Sequence, residues 1–232
     1  MKPLRRLGVL GAGTMGSRIA AQFANAGYAV DLLDMVLPGQ TERDAAALAG
    51  IENAASKKPS AFFTETAKGL IKPGNFDDDL GRLGSCDWII EAVAENLEIK
   101  RGLLARVAGV RAPGTILSTN TSGIPLAAIS EAWSQELRRH FLGTHFFNPP
   151  RYLHLVEVIP GAETSREVLE WVSGFCDVHL GKGVVRSKDT PNFIANRIGC
   201  FFGATVHKLT RQLGYPTHPP SRAITRLRKW TR

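Results

Sequence analysis

Cysteine is scarce in this 232-residue chain: Cys86, Cys176 and Cys200 are the only three, odd in number and far apart. That excludes a disulfide framework and a thiolate metal cluster, and points to free thiols in a reducing compartment. Long apolar runs are also lacking. No stretch approaches the ~20 residues needed to cross a bilayer, so a membrane span is excluded and a soluble, cytoplasmic protein is expected. The start, MKPLRRLGVLGAGTMG, superficially mimics a signal peptide, but glycines interrupt its apolar run after a few residues. Acid is missing from the C-terminal side: no Asp or Glu follows Asp189. Lys208, Arg211, Arg222, Arg226, Arg228, Lys229 and Arg232 therefore carry nearly all of the +8 net charge. A basic tail on a neutral body is not the footprint of a nucleic-acid binder, and no nucleic-acid partner is expected. No internal repeat is visible.

What is present is ordinary for a globular protein, with 44% hydrophobic and 22% charged residues. A chain of this length can bury roughly 70% of its unfolded surface, enough for a full core without staples. Short Val/Ile/Leu-rich runs alternate with segments of helical period, the pattern of βαβ units around a parallel sheet. Strands are predicted at Leu7–Leu10, Tyr28–Asp34, Trp88–Val93, Thr115–Thr119 and Val184–Arg186. Helices are predicted at Thr14–Ala26, Arg43–Lys57, Phe62–Leu70, Leu97–Val110, Leu126–Trp133 and Ser165–Asp177. IKPGNFDDDL reads as turn. Lys188-Asp189-Thr190-Pro191 reads as a helix start, with Asp189 or Thr190 as cap and Pro191 in the first helical position. Beyond Gly214 the text has prolines and little apolar periodicity, so residues 214–232 are expected to be a disordered basic tail.

Gly11-Ala12-Gly13-Thr14-Met15-Gly16 fits G-x-G-x-x-G and lies between a predicted strand and a predicted helix, the context this motif requires. Gly11 allows the tight turn, Gly13 lets the backbone approach a pyrophosphate, and Gly16 lets helix and strand pack closely. The helix N-terminus offers free N–H groups to the phosphates. Asp34, about 20 residues on, can accept hydrogen bonds from an adenosine ribose and repels a 2′-phosphate. No arginine immediately follows it, so NAD is favoured over NADP. These features predict a Rossmann-type, doubly wound α/β domain with a mostly parallel sheet over residues 1–188.

The segment GTHFFNPPRYLHLVEVIPG, residues 143–161, has two apolar runs around a proline-rich bend. A buried histidine alone is more often a structural core residue. Yet His145 and Glu157 are equally far from residue 151, and an antiparallel pair turning there sets them opposite each other. Directly opposed side chains have Cβ atoms roughly 5 Å apart. Phe141, His145, Phe147, Leu153, Leu155, Glu157 and Ile159 share one parity, which puts both polar residues on one apolar face, where a lone carboxylate is costly. That favours a His–Glu pair. Ser118-Thr119-Asn120-Thr121-Ser122-Gly123 follows a predicted strand of the parallel sheet, giving Asn120 and Ser122 access to the ligand crevice. Glu95 and Lys100 occupy an equivalent position after the WIIEAV strand.

Taken together, GAGTMG, Asp34, IIEAVAENLEIK, STNTSG, HFFNPP, LVEVIPG and KDTPNFIANR resemble the NAD-binding domain of the 3-hydroxyacyl-CoA dehydrogenases, in that family's order, from about Leu4 to Thr210. The resemblance implies NAD-dependent oxidation of an L-3-hydroxyacyl-CoA to a 3-ketoacyl-CoA in fatty-acid β-oxidation. It implies His145 as catalytic base, Glu157 as its orienter, Ser122 near the reacting oxygen and nicotinamide, and Asn196 against substrate. It implies cofactor contacts at Glu95 and Lys100, and a phosphate contact to CoA at Lys57. Family members continue into a helical domain that closes the acyl-CoA site and forms a dimer contact. Here only its first helix, 189–213, is expected, with Phe193, Ile194, Ile198, Phe201 and Phe202 partly exposed. A truncation, through a frameshift near Thr210–Pro216, is the expectation. A homodimer or a partner chain could supply the missing helices; the alternative is an NAD-binding remnant without turnover.

Overall fold

The structure, a computed structural model, describes residues 3–213, so the reading of 214–232 as a disordered tail lies outside the described residues. The apolar runs form strands β1 (Arg6–Leu10), β2 (Ala29–Asp34), β3 (Ile71–Asn75), β4 (Trp88–Glu91), β5 (Ile116–Thr119), β6 (Phe141–Phe146), β7 (Leu155–Pro160) and β8 (Gly183–Arg186). They join one sheet in the order β3-β2-β1-β4-β5-β6-β7-β8. Every neighbouring pair is parallel except β6 with β7, so β7 and β8 run against the other six strands. The mostly parallel, doubly wound α/β class expected from the sequence is the class observed.

Helices cover both faces, which is why the strands are near-continuous apolar runs and do not alternate cleanly. They are α1 (Thr14–Asn25), α2 (Ala45–Ser56), α3 (Glu65–Lys68), α4 (Leu97–Val110), α5 (Leu126–Ile129), α6 (Gln135–Arg139), α7 (Arg166–Val178) and α8 (Ala195–Gln212). On one face Phe23 of α1 packs edge-on to Trp88, ring centroids 5.4 Å apart, and Phe175 of α7 lies 5.8 Å from each. On the other, Leu103, Leu104 and Val107 of α4 pack with Leu117, Leu126 and Phe141. Fully burying a side chain of this size contributes about 1.5–3 kcal/mol.

Several elements depart from expectation. Ile71–Asn75 is an edge strand, not a turn: Pro73, which lacks an N–H, is tolerated because β3 pairs only with β2. The predicted Leu126–Trp133 helix keeps only Leu126–Ile129, as α5, and a separate short helix that was not expected, α6, follows it, capped by Ser134 accepting from Leu137 N–H. Phe62–Leu70 keeps helix only over Glu65–Lys68. Both faces of β6 are buried, so shared parity did not single out one apolar face, and Leu153 is 42% exposed.

The last junction differs most. α8 starts at Ala195 and not at Pro191. Asp189 caps another helix: its carboxylate accepts from the N–H groups of Leu126 (3.1 Å) and Ala127 (3.3 Å) in α5. Asn192 (φ 62°) and Phe193 (φ 46°) adopt the left-handed region, which L-residues seldom occupy. The turn takes Phe193 off the helix face and buries it to 2% exposure, against the expectation that it stays partly exposed. The rest of that expectation stands: Ile194, Ile198, Phe201 and Phe202 are 41, 64, 73 and 69% exposed, and α8 buries no residue.

Candidate active site

The glycine turn links β1 to α1 at the carboxyl end of the parallel strands. Gly11 has φ 94° and hydrogen-bonds through its N–H to Leu33 O at 2.7 Å. At Gly16 a Cβ would come within 1.7 Å of Gly11 O, so only glycine allows this approach of helix to turn. At Gly13 nothing lies within 4 Å of an added Cβ. The turn is thus packed beneath and open above, the shape a pyrophosphate needs. No side chain caps α1, which leaves its first-turn N–H groups to a ligand. Thr14 is exposed there, and Met15 packs partly into the core.

Asp34, at the end of β2, accepts from Ala12 N–H and Met35 N–H, each at 2.6 Å. It thereby fixes the turn and remains half-buried at the lip where a ribose would lie. Lys57 ends α2 and lines a cleft of about 270 Å³ with Gly13, Thr14, Ser17 and Arg18. These residues fit an NAD molecule laid over the strand ends.

Three strands further along, β6 and β7 pair in the register His145↔Glu157. Neighbouring strands are about 4.8 Å apart, which places the pair roughly 14 Å from β1. His145 Nδ1 donates to Glu157 Oε2 at 2.8 Å, the direction being fixed because an ionised carboxylate can only accept. Both side chains are buried, at 4% and 0% exposure. Nε2 of His145 makes no hydrogen bond among the described residues. Phe147 and Phe193 flank the imidazole, with ring centroids at 4.5 and 5.8 Å.

The other oxygen, Glu157 Oε1, accepts from the N–H groups of Ile194 and Ala195, both at 2.9 Å. It does for α8 what a capping side chain would do. Burial by itself would raise the pKa of Glu157. The hydrogen bonds from His145 and from the N–H groups of Ala195 and Ile194 outweigh it, and the carboxyl is held below its ordinary value.

The loop after β5 brings the remaining polar residues in. Asn120 Oδ1 accepts from Phe146 N–H at 2.8 Å, pinning the end of β6 beside the loop. Asn196, in the first turn of α8, reaches Ser122 O with its Nδ2 at 3.5 Å. Glu95 Oε1 accepts from the Thr121 hydroxyl (2.6 Å) and Ser122 N–H (2.8 Å), lashing the loops after β4 and β5 together. Burial works to raise its pKa, but the Thr121 hydroxyl, Lys100 and Ser122 N–H lower it on balance. Lys100 is only 1% exposed; its ammonium donates to Glu91 Oε1 at 2.7 Å and pairs with Glu95 at 3.3 Å.

Two residues here went unread in the sequence. Glu91, 0% exposed at the end of β4, gathers Lys100, the Thr119 hydroxyl (2.6 Å) and Val93 N–H (2.7 Å). Its signal was an acid inside the apolar run WIIEAV. Asn148, beside the bend, binds the Arg18 guanidinium and ties it to α1; nothing in the sequence pointed to that partner.

Residues 6–190 match the family described as 3-hydroxyacyl-CoA dehydrogenase, NAD binding domain. A probable 3-hydroxyacyl-CoA dehydrogenase of Deinococcus radiodurans is 47% identical over 198 residues, covering 85% of this chain and 57% of that protein. One of Bacillus subtilis is 45% identical over 214 residues, covering 86% of this chain but 27% of its own length. Among solved structures, FadB2 of M. tuberculosis superposes with a TM-score of 0.77 at 30% identity, over 93% of this chain and 74% of that one. A 3-hydroxybutyryl-CoA dehydrogenase of Escherichia coli gives 0.76 at 33% identity, over 91% and 44%. The chain thus spans little more than half of one curated relative and about a quarter of the other. Within that span the match is continuous from the first strand past the last: the chain belongs to the 3-hydroxyacyl-CoA dehydrogenase family and carries its NAD-binding domain.

Proposed function

We propose that the chain catalyses oxidation of an L-3-hydroxyacyl-CoA to the 3-ketoacyl-CoA, a step of fatty-acid β-oxidation. The observation that carries this reading is the buried His145–Glu157 contact of 2.8 Å, which leaves Nε2 of His145 without a partner among the described residues. NAD+, when bound, accepts the hydride released from C3. His145 takes the proton of the C3 hydroxyl on Nε2. Glu157, holding the opposite ring N–H, keeps the lone pair on Nε2 and steadies the cation that forms. Positioned base catalysis of this kind supplies about 10²–10⁴ in rate. In the reverse direction the protonated imidazole returns the proton to the carbonyl oxygen.

The other residues bind and orient. Gly11, Gly13, Thr14, Met15 and Gly16 take the pyrophosphate, and Asp34 the adenosine ribose. Asn120 and Glu95, with Lys100 behind it, border the nicotinamide end. Ser122 and Asn196, already joined across the cleft, hold the substrate oxygen. Lys57, exposed at the rim of its cleft, meets the CoA phosphates. The named activities of the relatives support the substrate class.

A second reading has one observation in its favour. Among the described residues nothing covers the apolar residues Ile198, Phe201 and Phe202 of α8, the state of a chain acting alone with this helix unpacked. Such a chain would hold NAD without turnover unless a second copy or a partner chain packed against α8. Acetoacetyl-CoA-dependent NADH oxidation separates the readings. Turnover abolished by His145→Ala supports the enzyme; no turnover alongside proven NADH binding leaves the cofactor-holding reading.

A further inference from the structure

Away from the strand-end cleft, a cavity of about 220 Å³ opens between the C-terminal half of α1, the β6–β7 bend and the turn into β8. Gln22, Asn25, Arg151, His154, His179 and Lys182 line it, with Phe63 at one side and no carboxylate on its wall among the described residues. Gln22 lies eight residues beyond Thr14, about 12 Å down α1 from the phosphate-cradling turn. None of the roles proposed above uses these residues.

The wall has more donors than the protein employs. Lys182 is only 4% exposed, and its ammonium donates to the carbonyls of Pro150 and of Leu153 (3.0 Å). That leaves one of its three N–H donors over. No carboxylate pairs with it among the described residues, and burial lowers its pKa, the mark of a cation short of a counter-charge. Arg151 spends Nη1 on Ser60 O and Phe62 O, keeping Nε and Nη2. His179 uses Nδ1 toward Tyr28 OH at 2.9 Å and keeps Nε2. The imidazole of His154 makes no hydrogen bond among the described residues, its carbonyl alone accepting, from Gly183 N–H. Unspent donors on two cations, with the free ring nitrogens of two imidazoles beside them and no acid on the described wall, call for a small ligand rich in acceptors and negatively charged. One acceptor is also unspent: Oε1 of Gln22, buried without a partner among the described residues, while its Nε2 donates to Leu180 O. An oxyanion that keeps one proton at neutral pH answers both demands.

We propose that this cavity binds a phosphate group, at a site separate from the glycine turn. Inorganic phosphate at neutral pH has acceptor oxygens for Lys182, Arg151 and the two imidazoles and an O–H for Gln22; a monoester carries that O–H as its monoanion. Phe63, whose ring already carries the Arg151 guanidinium at 4.1 Å, borders the cavity where the rest of a phosphate monoester would emerge.

The test uses the full chain saturated with NADH, so that the glycine turn is filled, at constant ionic strength. Inorganic phosphate and phenyl phosphate are titrated separately while the ring resonances of His154 and His179 are followed by NMR. Saturable shifts of both rings are expected, weakened about tenfold or more in Lys182→Gln. Tighter binding of phenyl phosphate assigns the ligand as a monoester, and equal binding as free phosphate. Should Lys182→Gln not fold, His179→Gln, read on His154, is expected to weaken binding severalfold. Unmoved resonances, or shifts of the same midpoint in the folded variants, would overturn the proposal.

Discussion

Glu157 joins His145 to Ile194 through opposite oxygens of one carboxylate, Oε2 to the imidazole at 2.8 Å and Oε1 to the amide at 2.9 Å. The acid is therefore shared between the proposed chemistry and the start of α8. Replacing it changes both, while replacing the histidine changes one.

His145→Gln should leave the fold and NADH affinity nearly unchanged and lower kcat by about 10²–10⁴. Stopped-flow NADH oxidation with acetoacetyl-CoA, alongside fluorescence titration of NADH, reads both quantities. A variant that kept its kcat would remove the histidine from the reaction.

Glu157→Gln should cost stability as well as rate, about 1–3 kcal/mol for the disturbed buried hydrogen bonds. The pH dependence has a definite sign. Because the folded protein lowers this pKa, the stabilisation is complete above the ordinary glutamate value of about 4.3 and is lost as pH falls through the lower folded value. The difference in Tm between the native chain and the variant should therefore be constant near neutrality and shrink below about pH 4.3. Thermal melts at a series of pH values measure it.

Gly13→Ala and Gly16→Ala should part company. The first adds a methyl where nothing lies within 4 Å, so Tm should hold while NADH affinity drops. The second drives a methyl to 1.7 Å from Gly11 O, so it should destabilise by about 1–3 kcal/mol or more before any binding is measured. Calorimetric melts and NADH titrations on the two variants make the comparison.

Thiol chemistry should be selective. Burial pushes the Cys86 and Cys176 thiols up to about 12, whereas Cys200 sits half-exposed on α8. Ellman's reagent should titrate one thiol per chain in the native state and three in denaturant. Fast native reaction of two or three would contradict the packing around Cys86 and Cys176.

Lys100→Met should be among the most damaging single changes, about 3–5 kcal/mol, because Glu91 would keep a buried charge without its cation. Chemical denaturation gives the value. Lys100→Met/Glu91→Gln should recover part of the loss.

The sheet, the glycine turn and the His–Glu register could be read in the sequence because each rests on local pattern: apolar runs, glycine spacing, and equal distances from a proline bend. What escaped reading depended on partners far along the chain. Pro73 argued against a strand until β3 proved to be an edge. Asp189 looked like the cap of the helix beginning at its own door, yet its carboxylate serves α5, more than sixty residues earlier. Phe193 carried helical spacing, but two left-handed residues turned it inward. The setting of Glu91 needed the ends of β4 and β5 side by side, because its Thr119 partner lies on the neighbouring strand.

The left-handed pair at Asn192 and Phe193 sets the pitch at which α8 leaves the sheet, and the helix is otherwise unanchored by burial. Its amide end is therefore a fulcrum and its bare far end a long arm. A load placed on that arm is felt first at the carboxylate, and through it at the imidazole.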